Sequence, residues 1–445
     1  MKGGVFLSMV FLLVAIPLAS SWGQCSEKSL LFLSLLKEGK YQEAHQMQDE
    51  KMQKLLPQAT LQKMWEDMKK DLGALLSFET RTTNRKDGYL VTAILCRFER
   101  MTLLAQVALD ERERIAGLYF LPSTEKEYVP PSYVDQNRFT EKEIVFGTPG
   151  WELPGTLTIP REKGPFPVLL LVHGSGPNDR DETIMGNKPF KDLAWGLATQ
   201  GIAVFRYDKR TYTHGTKLSM SPELLQLTVE EEVIADALSA LQLLRKQPEI
   251  DGEQIFLLGH SLGGYLAPEI ARRDGKLRGI ILYAAPARAL HQLIPEQMEY
   301  LFSLDGHPDT EELQKLEVAR KAVEGINRRT FAATDIIPAL GGYASYFYSL
   351  LDLNPTESAR QLTLPILVIQ GGRDYQVSKS DFTLWQEALA NHPEVSFRCY
   401  PDLNHLLFPG IGPSTPKEYE QPNHVDEQLL KDIASWIKKH TVTAK

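Results

Sequence analysis

Apolar positions change their period as this chain is read. Leu30, Leu31, Leu35 and Leu36, then Leu55, Leu61, Met64, Trp65 and Met68, recur at helical spacing, whereas residues 89–98, 103–109 and 115–120 have the character of strands. Helices first and strands afterwards predict a small α+β unit over residues 27–121. The methionines of the second helical stretch read as core packing in preference to a partner-facing stripe. Residues 122–138, with Pro130-Pro131 and several charges, read as a linker.

Beyond Phe139 strand and helix patterns alternate. Two opening strands, 143–146 and 155–159, precede the unbroken apolar run Val168 to Val172. Then follow a helix around 190–199, a strand at 202–207, a long helix at 229–246 and a strand at 255–258. Further strands at 279–284, 365–370 and 395–400 lead to an amphipathic closing helix at 425–439. Such alternation predicts a mainly parallel sheet with helices on both faces. Residues 287–363 show helical patterns without a clear strand. An insertion there predicts a cap over the carboxyl ends of the strands, where open α/β sheets place their ligands.

Chemistry enters at Gly259-His260-Ser261-Leu262-Gly263, between the apolar run 255–258 and a helix-compatible stretch. A serine on so sharp a strand-to-helix turn is how some hydrolases mount a nucleophile, and glycines flank it because the backbone comes too close to its neighbours for a Cβ. A serine hydroxyl needs an imidazole to take its proton, and the imidazole needs a carboxylate to fix its tautomer. Asp374, in Gly371-Gly372-Arg373-Asp374, directly follows a strand, and His405 follows the next one after the short loop 401–404. Asp374 and His405 are therefore the candidate acid and base. Asp352 falls in the cap, Asp402 is too close in sequence to His405 for good orienting geometry, and His392 and His424 read as a solvated turn residue and a capping or surface residue. His260 and His173 read as structural. The oxyanion needs donors already aimed at it. One is the N–H of Leu262 at the helix start; the other comes from the loop His173-Gly174-Ser175-Gly176, with Ser175 N–H the first choice and Gly174 N–H the second. In the inserted run Tyr343, Tyr346, Phe347 and Tyr348 either line a pocket or pack the cap helices; Tyr346 and Tyr348 are the candidate substrate contacts. The loop 406–424, rich in proline and glycine, reads either as a gate or as a rigid surface excursion.

Composition narrows the field. A length of 445 residues fits two domains, and a formal charge of −8 without single-sign blocks argues against a nucleic-acid partner. With no H-E-x-x-H, clustered Cys/His or phosphate-binding glycine loop, neither cofactor nor metal is expected. Residues 1–23 read as a signal peptide: Lys2 is followed by the apolar run Val5 to Leu18 and by Ser21-Trp22-Gly23. Export to the periplasm or beyond is the expectation, and Gln24 before Cys25 makes a poor lipoprotein signal. No later apolar run is long enough for a membrane span. Cys25, Cys96 and Cys399 permit one bridge at most, and Cys96 and Cys399 read as buried thiols. Oligomeric state is not readable.

On His173 to Pro177, Tyr207-Asp208-Lys209-Arg210, Gly259 to Gly263, Gly371 to Asp374 and Leu403-Asn404-His405, the segment 139–445 resembles the α/β-hydrolase family, in its branch of bacterial exported esterases and acyl hydrolases. That resemblance implies a mostly parallel eight-stranded sheet with a helical cap over about 287–363, and the roles of nucleophile, acid and base for Ser261, Asp374 and His405. The chain departs from the family at Thr211-Tyr212-Thr213-His214, where relatives have a glycine-rich turn. The front unit is similar in layout to a cystatin-like α+β domain of unknown function. The expected activity is cleavage of small carboxylic esters through an acyl-enzyme. A peptidase of this fold usually carries a propeller domain, for which the front unit is too short; an exported protein rarely meets coenzyme A thioesters; and a binding module with a vestigial site commonly loses one of the three residues.

Overall fold

The structure, a computed structural model, describes residues 22–86, 89–122, 128–215, 218 and 227–442. The expected signal peptide lies outside the described residues up to 21, and Trp22 and Gly23 open the first helix. Among the described residues no helix is long and apolar enough to cross a membrane. Two compact units meet in sequence between Glu127 and Tyr128.

The front unit begins with helices Trp22–Lys37, Tyr41–Gln46, Glu50–Leu55 and Gln58–Leu72. An antiparallel meander follows: β1 (Leu75–Lys86), β2 (Tyr89–Phe98), β3 (Thr102–Leu109) and β4 (Ile115–Pro122). β3 alternates half-buried and buried positions, so one face joins a core with Phe32, Leu36, Leu61 and Trp65. Met64 and Met68 pack against that core. The pattern along the chain does not reveal β1. It is an edge strand, mostly exposed, with register shifts near residues 75–77 and 80–82, and its Glu79, Arg81 and Arg85 leave no apolar alternation to read.

The second unit is built on an eight-stranded sheet of β5 (Phe139–Phe146), β6 (Leu153–Pro160), β7 (Phe166–Val172), β8 (Ala203–Tyr207), β9 (Ile250–His260), β10 (Gly279–Tyr283), β13 (Ile366–Gly371) and β14 (Val395–Tyr400). The order is β14-β13-β10-β9-β7-β8-β6-β5, parallel from β14 to β8 and antiparallel through β6 and β5. The central strands read as continuous apolar runs because both faces are covered. Val168, Leu170, Leu257 and Ile280 face the helices Ala235–Leu244 and Leu262–Asp274. Leu169, Leu171, Phe256 and Ile281, one residue out of phase, face Pro189–Thr199 and Glu427–His440. Each such side chain contributes about 1.5–3 kcal/mol by leaving water.

Between β10 and β13 the chain forms helices Leu290–Ser303, Thr310–Asn327, Ala344–Leu351 and Pro355–Arg360, and a two-residue ladder of β11 (Ile336–Ile337) with β12 (Gly342–Tyr343). The buried Asp381 carboxylate anchors the entry to this insertion, accepting from the amides of Ala287 (3.0 Å) and Arg288 (3.2 Å) and from the Arg288 guanidinium (2.7 Å). Tyr265, on the helix after Ser261, donates its hydroxyl to the carbonyls of Leu350 and Leu353.

Three expectations need correction. Residues 128–138 are no free linker, because Tyr128 Oη donates to Asp192 at 2.7 Å and Tyr133 Oη to the Val425 carbonyl at 2.9 Å, docking the segment on the second unit, to which it belongs. Cys399 is exposed, since β14 is the edge strand with one face open, whereas Cys96 is buried and its thiol is pushed up to about 12 by burial. The helix expected over 229–246 starts as a π-helical turn, Glu230–Ile234, before the α-helix Ala235–Leu244, and this turn carries the buried Glu232.

Candidate active site

Ser261 stands alone between β9 and the helix Leu262–Asp274 with φ 50° and ψ −114°. A non-glycine residue there costs about 1–3 kcal/mol. The surroundings enforce it: Ser261 N–H donates to the Tyr283 carbonyl at 2.9 Å, and the Ser261 carbonyl accepts from Tyr265 N–H at 3.0 Å. The flanking glycines are required by contact. A Cβ on Gly259 would lie 2.1 Å from the Gly263 carbonyl oxygen, and one on Gly263 would lie 2.3 Å from that of Val172. Leu262 is the first helical residue, so its N–H has no intrahelical acceptor.

Asp374 and His405 meet from the ends of β13 and β14. His405 Nδ1 lies 2.7 Å from Asp374 Oδ2. The other carboxylate oxygen accepts from the amides of Gln376 (2.8 Å) and Val377 (2.9 Å), and Gln370 Nε2 adds a contact of 3.2 Å to Oδ2. The two loops touch through glycine again, since a Cβ on Gly371 would meet the Leu403 carbonyl at 2.5 Å. Asn404 Oδ1 accepts from the amides of Leu406 and Phe408, both at 3.1 Å, and shapes the turn that holds His405. Ser261, Asp374 and His405 are all buried, and His260 links the first to the last: its Nε2 donates to the His405 carbonyl at 3.3 Å, with ring centroids 4.8 Å apart. By contrast Asp352 and Asp402 are exposed.

The loop after β7 passes the serine, and a Cβ on Gly174 would come 3.3 Å from Ser261 Cβ. Gly174 N–H is occupied, donating to Glu182 Oε1 at 2.7 Å. Ser175 N–H has no acceptor among the described residues. Asn178 Nδ2 reaches the carbonyls of Gly174 (3.2 Å) and Ser175 (3.1 Å). Glu182 also faces His260, Oε2 to Nδ1 at 2.9 Å. Burial alone would push the His260 imidazolium down; Glu182 and the His405 carbonyl outweigh it and hold His260 above the usual histidine range. Burial would likewise raise Glu182, but His260 keeps it below the usual carboxylate range. His173 differs: packed between Phe190 and Tyr207, it is pushed down to about 4 by burial.

The remaining candidates are placed as follows. Tyr346 Oη donates to Glu232 Oε2 at 2.6 Å, and Tyr348 Oη to the Phe331 carbonyl at 2.9 Å, so both hydroxyls have partners within the fold. Phe347 is buried in the core. His424 Nδ1 lies 3.2 Å from Asp192, and His392 Nε2 donates to the Leu362 carbonyl. Thr211, where the family pattern is broken, donates to Glu232 at 2.9 Å. The loop 406–424 is braced: Arg373 bonds the carbonyls of Ile411 and Gly412 and pairs with Glu418, and Tyr300 Oη donates to the Ser414 carbonyl. Glu182, Glu232 and Gln370 escaped the sequence reading, and Lys209 entered it only within Tyr207-Asp208-Lys209-Arg210, without a role of its own. A full burial of Lys209 was the signal to seek, and a single sequence does not display burial.

An eight-stranded α/β sheet with a serine on the strand-to-helix turn after β9 and an acid–histidine pair on the loops after β13 and β14 defines a class, and this chain belongs to the α/β-hydrolase family of serine hydrolases. Residues 185–409 match the family described as serine aminopeptidase, S33, and residues 29–118 match a protein family of unknown function, DUF3887. Over 439 residues, 99% of this chain and 100% of the relative, it is 37% identical to the esterase EstD of Thermotoga maritima. Among solved structures it is similar to the Pyrococcus furiosus esterase Pf2001 (15% identity, 71% of this chain and 96% of that chain, TM-score 0.44). It is also similar to the Pyrococcus horikoshii acylaminoacyl peptidase (15% identity, 82% of this chain and 57% of that chain, TM-score 0.46).

Proposed function

We propose that this serine hydrolase cleaves small carboxylic esters through an acyl-enzyme, with Ser261 as nucleophile, His405 as base and Asp374 as the orienting acid. The observation that carries the reading is the 2.7 Å contact between His405 Nδ1 and Asp374 Oδ2. It leaves Nε2 as the nitrogen free to take the Ser261 proton and return it to the leaving alcohol. Attack by Ser261 Oγ on the ester carbon converts the carbonyl oxygen to an oxyanion, received by the N–H groups of Ser175 and Leu262. Collapse expels the alcohol, and water, deprotonated by His405, releases the acid and restores Ser261. No metal or organic cofactor has a part in these steps.

An ester is favoured over a peptide by the full-length likeness to a protein named an esterase, front unit included. In a test on the whole protein, p-nitrophenyl acetate and butyrate turn over faster than aminoacyl anilides, and Ser261→Ala abolishes turnover. Anilide preference would move the reading to a peptidase; undiminished ester turnover in Ser261→Ala would remove it. Export belongs to the same proposal, supported by Lys2 and the apolar run that follows. Amino-terminal sequencing of protein recovered outside the cytoplasm is expected to begin near Gln24.

A further inference from the structure

Two buried charges of opposite sign hold the residue before Ser175. The Gly174 amide donates to Glu182 Oε1 at 2.7 Å, and the Gly174 carbonyl accepts from Lys209 Nζ at 2.9 Å. A trans peptide is planar and its C=O and N–H point opposite ways. Drawing the Gly174 carbonyl towards Lys209 therefore turns the N–H of the same peptide group, which belongs to Ser175, away from Lys209.

Lys209 is placed for this at some cost. It is only 2% exposed, and lysine is almost never so buried without a partner. Glu232 Oε1 lies 3.2 Å from its Nζ, and Glu232 is itself held by Thr211 and Tyr346. The backbone repeats the attachment, since Lys209 N–H donates to the Asn178 carbonyl at 3.0 Å, and Asp208 accepts from Arg180 N–H at 2.8 Å. Glu182 has φ 52°, a strained conformation that presents its carboxylate to Gly174 and His260 together. A loop that needed only to be tied down has Asn178 already, bonded to three successive carbonyls. The charged pair fixes the two peptide planes that meet at Gly174.

We propose that Lys209 and Glu182 are positioning residues of the hydrolytic reaction: Glu182 holds the His173–Gly174 peptide and Lys209 the Gly174–Ser175 peptide, so that Ser175 N–H is aimed at the oxyanion before substrate arrives. This rests on the reading of Ser261 as nucleophile and Ser175 as donor. Neither side chain touches the ester.

The test uses full-length Lys209→Met, Glu182→Leu and Glu182→Gln. For each, kcat and KM for p-nitrophenyl butyrate are measured per active site, with sites counted by exhaustive reaction with diethyl p-nitrophenyl phosphate, so that unfolded molecules drop out. Inhibition by a trifluoromethyl ketone, which forms a tetrahedral adduct, is the second readout. Lys209→Met and Glu182→Leu are expected to lose roughly 10²-fold in kcat, the low end for one oxyanion donor, with KM little changed and ketone inhibition weakened in step. Glu182→Gln, which keeps an acceptor oxygen for Gly174 N–H, is expected to recover most of the loss. Titratable Lys209→Met or Glu182→Leu sites that keep the wild-type kcat and ketone affinity would overturn the proposal. If one of these variants yields no sites, the other decides. An active Ser261→Ala would remove the underlying reading; an inactive Ser261→Ala beside a fully active Lys209→Met would remove the clamp alone.

Discussion

His405 Nδ1 faces Asp374 Oδ2 at 2.7 Å while the second oxygen of Asp374 is taken by the amides of Gln376 and Val377, so the carboxylate has one orientation and the imidazole inherits it. Asp374→Asn keeps the volume but offers an N–H where an acceptor is needed, which favours the wrong tautomer. A fall in kcat of about 10⁴-fold is expected, with an unchanged thermal midpoint, from steady-state kinetics beside a melting curve.

Gly263→Ala sets a Cβ 2.3 Å from the Val172 carbonyl oxygen, a backbone atom that cannot swing aside. Overpacking costs about 1–3 kcal/mol when side chains can adjust, and this site falls at or above the upper end. The expected outcome in urea unfolding is a clear drop in midpoint, together with loss of esterase activity because the strand-to-helix turn must open.

His173 gives stability a defined dependence on pH. Burial lowers its pKa from 6.5 to about 4, so the folded protein keeps it neutral where the unfolded chain has already bound a proton. The unfolded state therefore binds more protons between about pH 6.5 and 4, and stability falls as pH falls through that window, by on the order of 3 kcal/mol in all. His173→Phe retains the ring contacts with Phe190 and Tyr207 and should flatten this part of the profile in unfolding free energies measured from pH 7 to 4. A slope identical to wild type would contradict the assignment.

Asp381 ties the start of the cap to the helix Lys379–Ala388. Asp381→Ala strands the Arg288 guanidinium and two amides, and a loss on the order of 3 kcal/mol is expected, as for breaking a buried pair. Limited proteolysis should then cut within residues 287–363 sooner than in the wild type.

The turn that carries Ser261 and the two loops that bring Asp374 against His405 were legible because each follows a strand and stands beside residues with a local reason to be there, glycines above all. The parallel sheet was legible for the same local reason, as continuous apolar runs. Lys209 and Glu182 were not, since their meaning lies in which carbonyl and which amide they meet after loops distant in sequence converge. Tyr346 and Tyr348 show the converse: an aromatic run in an insertion has the same pattern whether its hydroxyls face a ligand or, as here, Glu232 and Phe331. β1 was missed because an edge strand needs no apolar alternation.

The docking of Tyr128 and Tyr133 decides where this protein can be recombined. Buried Asp192 relies on the Tyr128 hydroxyl, besides Val425 N–H and His424. A chimera that exchanges the front unit for a relative's should be joined ahead of Tyr128: a junction at Phe139, where the first strand of the large sheet begins, would import a foreign segment and leave that carboxylate short of a donor.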